Sequence, residues 1–185
     1  MGAPTRALAA EEEPAMRSEA RIDQEQVVVN FANVGASYAQ KVLHRDKWLG
    51  RSSFDWEGVR KCVVYLVERN LQVVGCIREN FRGPDKGGAS VLMPKDIRNL
   101  CESVQETPSL SGNHHKSADD EMTIKCAWRR NCRFMDNDNY RDWRQHMRDE
   151  RVRDWLQQNQ DRLQMRYFFD TDLGSFDTLD GLPRR

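Results

Sequence analysis

The sequence has no excess charge of either sign. Its 29 basic and 29 acidic residues balance, so a polyanionic partner would need a local basic face. It has no run of 18 apolar residues, which excludes a membrane-spanning helix. The first residues, with Glu11, Glu12 and Glu13, lack the basic-then-apolar order of an export signal. Arg6 stands where a myristoylation pattern after Gly2 needs Ser or Thr. None of the five cysteines (Cys62, Cys76, Cys101, Cys126, Cys132) forms a C-x-x-C pair, and their number is odd. Free, buried thiols in a reducing compartment are therefore expected, in the cytoplasm or nucleus, rather than disulfides or a zinc site. No internal repeat is visible, and no Gly-rich phosphate loop follows the first apolar run.

What is present is a charged chain of 185 residues, 31% Asp, Glu, Lys or Arg. That length suggests one domain, and a domain of roughly 150 residues buries about 68–70% of its unfolded surface, enough for its own core. Residues 1–24 read as a mobile tail and 25–185 as the folded domain. The β-branched run Val27-Val28-Val29 predicts a buried parallel strand ending at Asn30. Residues 40–55 look irregular. Asp55 caps a predicted helix from Trp56 to about Arg69, with Val59, Val63 and Leu66 at helical spacing and Asn70 as its stop. Residues 72–77 give a second strand, and Arg78 to Ser90 a polar loop. Pro94 opens a helix to about Glu102. A weak third strand lies near Val104, and Thr107 to Lys116 is a second loop.

The stretch from Ser117 to Asp142 organises the rest. Ser117-x-x-Asp120 resembles a capping box that opens a helix to about Arg130. Cys132 to Met135 is the fourth strand, followed by a turn crowded with Asp136, Asn137, Asp138 and Asn139. Helices at about 139–147 and 150–159 precede a fifth strand over 163–169, and the end from Asp170 looks irregular. Alternating strands and helices imply an α/β class: a three-layer α/β/α sandwich around a mostly parallel sheet of about five strands. Ligands in such sheets bind beyond the C-terminal strand ends, at a switch point. That rule gathers Asn30, Asp136, Asp138 and the helix start at Asp119 and Asp120 on one edge.

Clustered carboxylates hold Mg²⁺ or Mn²⁺, which phosphodiester cleavage uses to neutralise phosphate and activate water. Equally, acids at a helix start favour its macrodipole, and Asp and Asn after a strand are ordinary turn residues. Asp136 is an extra acid near the turn that could compensate for a missing charge if strand geometry lets it face the site, which its offset of two from Asp138 does not prove. Around the same edge lie Arg78, Arg82, Lys86, His114, His115, Lys116 and Arg141, residues that can hold an RNA backbone or serve only as solvated loop charges. Phe81 is open to two readings, a base-stacking platform or a residue tucked against the core.

The residues Ser117-Ala-Asp119-Asp120-Glu-Met-Thr-Ile-Lys-Cys-Ala127 and Asp136-Asn-Asp138-Asn-Tyr-Arg-Asp142 closely resemble the NYN-type ribonuclease domain of the PIN-like superfamily, in its Regnase (MCPIP)-like branch. That branch has a paired-Asp helix start and a Ser-Asn-Asp-x-Tyr-Arg-Asp turn. Residues 27–34, 54–69, 107–109 and 162–168 fit in order, so the resemblance covers about 26–185. It implies an endoribonuclease using Mg²⁺ or Mn²⁺, with Asp119, Asp120 and Asp138 as the acidic metal site. Asn33 would orient the first-strand ligand or a metal-bound water, and Arg141 would brace the turn or meet phosphate.

One departure stands out: the family's first-strand acid falls on Asn30, which offers a carbonyl oxygen but no charge. The expectation is a metal-dependent endoribonuclease acting on single-stranded or stem-loop RNA and weakened by Asn30. The alternative is a catalytically inactive RNA-binding module on the same fold. Either is compatible with a homodimer. A phospho-acceptor domain fits less well, because its paired acids would follow the first strand.

Overall fold

In the computed structural model the described residues are 21–45, 53–108 and 118–179. The chain builds β1 (Asp23–Asn30), α1 (Phe31–Lys41), α2 (Trp56–Val67), β2 (Gln72–Arg78), β3 (Gly83–Pro84), β4 (Ser90–Val91), α3 (Lys95–Leu100) and β5 (Ser103–Thr107). It continues with α4 (Ala118–Arg130), β6 (Cys132–Met135), α5 (Arg141–His146), α6 (Glu150–Leu163), β7 (Gln164–Met165), β8 (Tyr167–Phe169) and β9 (Phe176–Thr178). Five strands form one sheet in the order β5-β2-β1-β6-β7, and every pairing in it is parallel. From β1 the chain winds outward to β2 and β5, then crosses back to β6 and β7. The switch point is therefore the crevice between β1 and β6.

The central strand is buried on both faces, as its β-branched run predicts. Val27 and Val29 pack on one side with Trp56, Val59, Val63 and Leu66 of α2. Val28 points the other way, onto Ile124 and Ala127 of α4 and Val152 and Leu156 of α6. This alternation of faces gives the three-layer sandwich. Asp55 caps α2 by accepting from the amide of Glu57, and Asn70 takes φ 59°, the left-handed stop expected after that helix. Among the described residues, no helix is long and apolar enough to cross a membrane. All five cysteines are free thiols, four of them buried.

Apart from α6, which runs to Leu163 rather than to about residue 159, the structure differs from the sequence expectation in five places. First, α1 begins at once after β1 and runs to Lys41, where irregular chain was expected from residue 40. Its sequence carries Gly35 and Ser37 and no acid in its first turn, so it signals a helix weakly; packing makes it one. A Cβ at Gly35 would lie 2.2 Å from the Phe54 ring, which shows how closely that ring approaches the helix. Second, the loop from Arg78 to Ser90 contains the small antiparallel β3–β4 ribbon. It is clamped to α2 by Arg60, which reaches Glu57 at 2.6 Å, Asp85 at 2.8 Å and Asp96 at 2.5 Å. Phe81 in this loop packs edge-on against Phe54 at 4.6 Å and against Trp56 at 6.0 Å, so its ring belongs to the core.

Third, α3 stops at Leu100 rather than near Glu102 and buries only Ile97. Fourth, the expected fifth strand breaks at Arg166. Gln164–Met165 joins the sheet, while Tyr167–Phe169 leaves it. Fifth, the end beyond Asp170 is not irregular throughout: Phe176–Thr178 pairs with Tyr167–Phe169 as an antiparallel hairpin. Its Phe169 and Phe176 rings meet Tyr38 and Tyr65, each pair at 5.1 Å.

Candidate metal centre

The parallel register ends with Val29 opposite Met135. One residue further on, at the mouth of the switch-point crevice, lie Asn30 and Asp136. Both are buried, Asp136 completely. The first turn of α4 brings Asp119 and Asp120 to the same edge. One ligand oxygen from each of Asp120, Asp136 and Asp138 lies within 4.8 Å of the others.

Asn30 lies at the centre of the site. Its Oδ1 accepts from the amide of Asn33 at 3.2 Å, which caps α1. The oxygen is thereby committed, and this fixes which end of the amide faces the acids. Nδ2 donates to Asp120 Oδ1 at 2.9 Å and to Asp136 Oδ2 at 2.6 Å. The carbonyl that the sequence offers to a metal is thus turned away, and the NH₂ group lies between two carboxylates instead.

Asp136 is held from every side. Its Oδ1 accepts from the amide of Asp138 at 2.7 Å, and its Oδ2 accepts from the Tyr140 hydroxyl at 2.7 Å as well as from Asn30. Tyr140 reaches back because its backbone is left-handed, φ 52°, an unusual state for a non-glycine residue. Behind the turn, the Gln164 amide donates to the carbonyls of Asp136 at 2.9 Å and Asp138 at 2.7 Å. Gln160 supports Gln164 Oε1 at 2.8 Å. Asn33 Oδ1 accepts from the Tyr167 hydroxyl at 2.6 Å and from the Asn137 amide at 3.3 Å. Asn33 therefore orients the acidic turn and the hairpin, not only the end of the first strand.

The electrostatics follow from this crowding. Burial first, and then the neighbouring charges of Asp136 and Asp138, push the Asp120 carboxyl up to about 7, against the favourable Asn30 hydrogen bond. Burial also raises Asp136, to about 6, opposed by the hydrogen bonds from the Asp138 amide and the Tyr140 hydroxyl. Buried carboxylates that repel one another are what a divalent cation relieves. The donor set, all oxygen and anionic, suits Mg²⁺ or Mn²⁺. On chemistry and spacing the residues fit such an ion.

The sequence-predicted residues divide into groups. Asp120 and Asp138 converge as expected. Asp119 does not join the three converging acids: its Oδ1 accepts from the Thr107 hydroxyl at 3.2 Å. Burial raises its carboxyl, while that hydrogen bond and the charge of Arg78 act the other way. The Arg78 guanidinium lies 5.5 Å from the Phe81 ring centre. Arg82, just before β3, and Lys86, between β3 and β4, are exposed, and Arg141 is exposed at the start of α5. His114, His115, Lys116 and the Ser117 cap lie outside the described residues. Asp136, which the sequence put at this edge without showing that it faces the site, does face it, whereas Tyr140, Gln160 and Gln164 were not foreseen. Two signals marked Asp136: its place at the end of the fourth strand, and an acid standing where the resemblance implies Ser.

A parallel α/β sheet with carboxylates gathered at its switch point is the arrangement expected of a PIN-like nuclease domain. The family model described as the Zc3h12a-like Ribonuclease NYN domain matches residues 23–178, and the chain belongs to that family. Among solved structures the chain is similar to nuclear proteinaceous RNase P 2 (PRORP2) from A. thaliana, with 20% identity and TM-score 0.51, over 84% of this chain and 29% of that one. A second structure of Arabidopsis thaliana nuclear protein-only RNase P 2 gives 22% identity and TM-score 0.52, over 86% and 30%. At these identities the likeness concerns the fold, and the chain spans about three tenths of the length of those proteins. No curated protein matches the chain.

Proposed function

We propose that this domain is a divalent-metal-dependent endoribonuclease. The observation that carries the reading is the convergence of Asp120, Asp136 and Asp138 within 4.8 Å at the switch point of a ribonuclease-family fold. Asp120 and Asp138 would hold Mg²⁺ or Mn²⁺, with Asp119 acting from its Thr107 anchor. The ion, when bound, supplies charge neutralisation for the phosphate and a more acidic water. The chain's own part is positioning. Asn30 and Tyr140 fix Asp136, the Asp136 carboxylate fixes the Asp138 amide, and Gln164 holds the turn from behind. Arg78, beside the acids, and Arg82 and Lys86 on the adjoining loop would meet the phosphate backbone of a single-stranded or stem-loop RNA, joined by His114, His115, Lys116 and Arg141.

The test is cleavage of single-stranded and hairpin RNA by the purified chain with Mg²⁺, Mn²⁺ or EDTA. Cleavage should require the metal, and Asp138→Asn should abolish it. Metal-independent cleavage that survives Asp138→Asn would overturn the mechanism. The Asn30 amide, already donating to two of the acids, favours a second reading: salt-sensitive RNA binding with no turnover, on a site whose charge is partly satisfied from within.

A further inference from the structure

We infer that the carboxylate missing from the end of β1 is supplied from across the sheet, by Asp136 at the end of β6. This inference rests on the metal-dependent reading above and concerns how the chain meets its need for charge. The resemblance described above implies an acid after the first strand and a Ser at the start of the turn. In this chain both positions differ together, Asn30 and Asp136. They are one residue beyond paired positions of neighbouring strands and touch at 2.6 Å. The acid and its polar partner have exchanged strands, and the acid count at the crevice is unchanged.

Stereochemistry supports the exchange. A carboxylate has about four acceptor positions. Asp136 uses three of them: the Asp138 amide on Oδ1, and Asn30 and the Tyr140 hydroxyl on Oδ2. The fourth position, on Oδ1, receives no donor among the described residues, and the residue is completely buried, so what Asp136 brings to the crevice is its charge. Asn30 uses its oxygen on the α1 cap and its NH₂ on the acids, so it contributes orientation and no ligand. A buried carboxylate with three donors and no counter-cation among them is a place where a nearby divalent ion gains from the charge. Asp136 thus acts as a charge-supplying residue of the metal site, and Asn30 as the positioning residue that holds it.

The exchange can be reversed experimentally. Asn30→Asp combined with Asp136→Asn returns the carboxylate to β1 and keeps an amide opposite it. Mn²⁺ affinity is measured by calorimetry without RNA, with melting in EDTA as the check on folding. Asp136→Asn should weaken Mn²⁺ binding at least about ten-fold, a loss of about 1.4 kcal/mol, and the double variant should recover to within about three-fold of wild type. Two results overturn the inference: unchanged Mn²⁺ affinity in Asp136→Asn, or a double variant as weak as the single one. If Asp136→Asn fails to fold, the double variant alone decides. The outcomes also separate the two proposals. Mn²⁺ binding that depends on Asp136 without RNA cleavage sinks only the endonuclease. RNA cleavage with Mn²⁺ affinity indifferent to Asp136 sinks only the exchange.

Discussion

In EDTA, the protein should become more stable as the pH falls from 8 to 6, against the usual course for a protein stabilised by paired carboxylates. Asp120 is raised to about 7 and Asp136 to about 6, both chiefly by burial. An unfolded Asp titrates near about 3.9. Across the window between these values the folded state binds more protons than the unfolded one, so stability falls with rising pH. The contribution is fully present below the unfolded value and is lost as the pH rises through about 6 for Asp136 and about 7 for Asp120. Between pH 8 and 6, Asp120 regains nearly one full unit of linkage and Asp136 about a third of one, together about 2 kcal/mol. For a chain of this size that is a rise in Tm of about 4–8 °C. Thermal denaturation in EDTA at the two pH values measures it. Saturating Mn²⁺ should remove the effect, because the cation takes the place of the proton, and Asp120→Asn should remove most of it. A Tm in EDTA that falls from pH 8 to 6, or a pH slope that Asp120→Asn leaves unchanged, would refute the electrostatic account of the site.

Two further substitutions probe the frame behind the acids. Gly75→Ala places a Cβ 2.3 Å from the buried Phe31 ring, so it should cost about 1–3 kcal/mol of overpacking; a wild-type Tm would mean that α1 does not sit against β2 in this way. Gln164→Ala leaves the carbonyls of Asp136 and Asp138 without their shared donor. It should cost about 1–3 kcal/mol and weaken Mn²⁺ binding. Gln164→Glu should fail similarly, since an ionised carboxylate cannot donate. Normal melting and Mn²⁺ binding by Gln164→Glu would show that the turn is held by other means.

The sheet was legible because its signals are local. Val27-Val28-Val29, β-branched throughout, reads as a strand buried on both faces, and the caps at Asp55 and Asn70 bracket α2 without tertiary information. The edge that gathers the acids followed from strand order alone. What was not legible depended on contacts distant in sequence. α1 is a poor helix by composition, and it is kept as one by its Asn30 cap and by the fit of Phe54 at Gly35. The final hairpin is stabilised by aromatic rings from α1 and α2 that lie more than a hundred residues earlier. Strand order put Asp136 at the edge, but not whether it faces the site; that depends on Asn30, Tyr140 and the depth of the crevice. Asp119, equal to Asp120 in the sequence pattern, is set apart by one hydroxyl, that of Thr107.

Asn30 joins parts of the chain that are made at very different times. Its bonds span 90 residues to Asp120 and 106 to Asp136, and the Tyr167 bond to Asn33 beside it spans 134. Contacts of such sequence separation carry a large loop-closure cost and cannot form by local folding alone. The acids therefore reach their spacing only once β6, the turn and the hairpin have docked on β1. An incomplete or misregistered chain would keep its carboxylates apart, with no shared place for a cation. In this fold the spacing of the acids is a consequence of complete assembly, and a cation that binds there would report that assembly is complete.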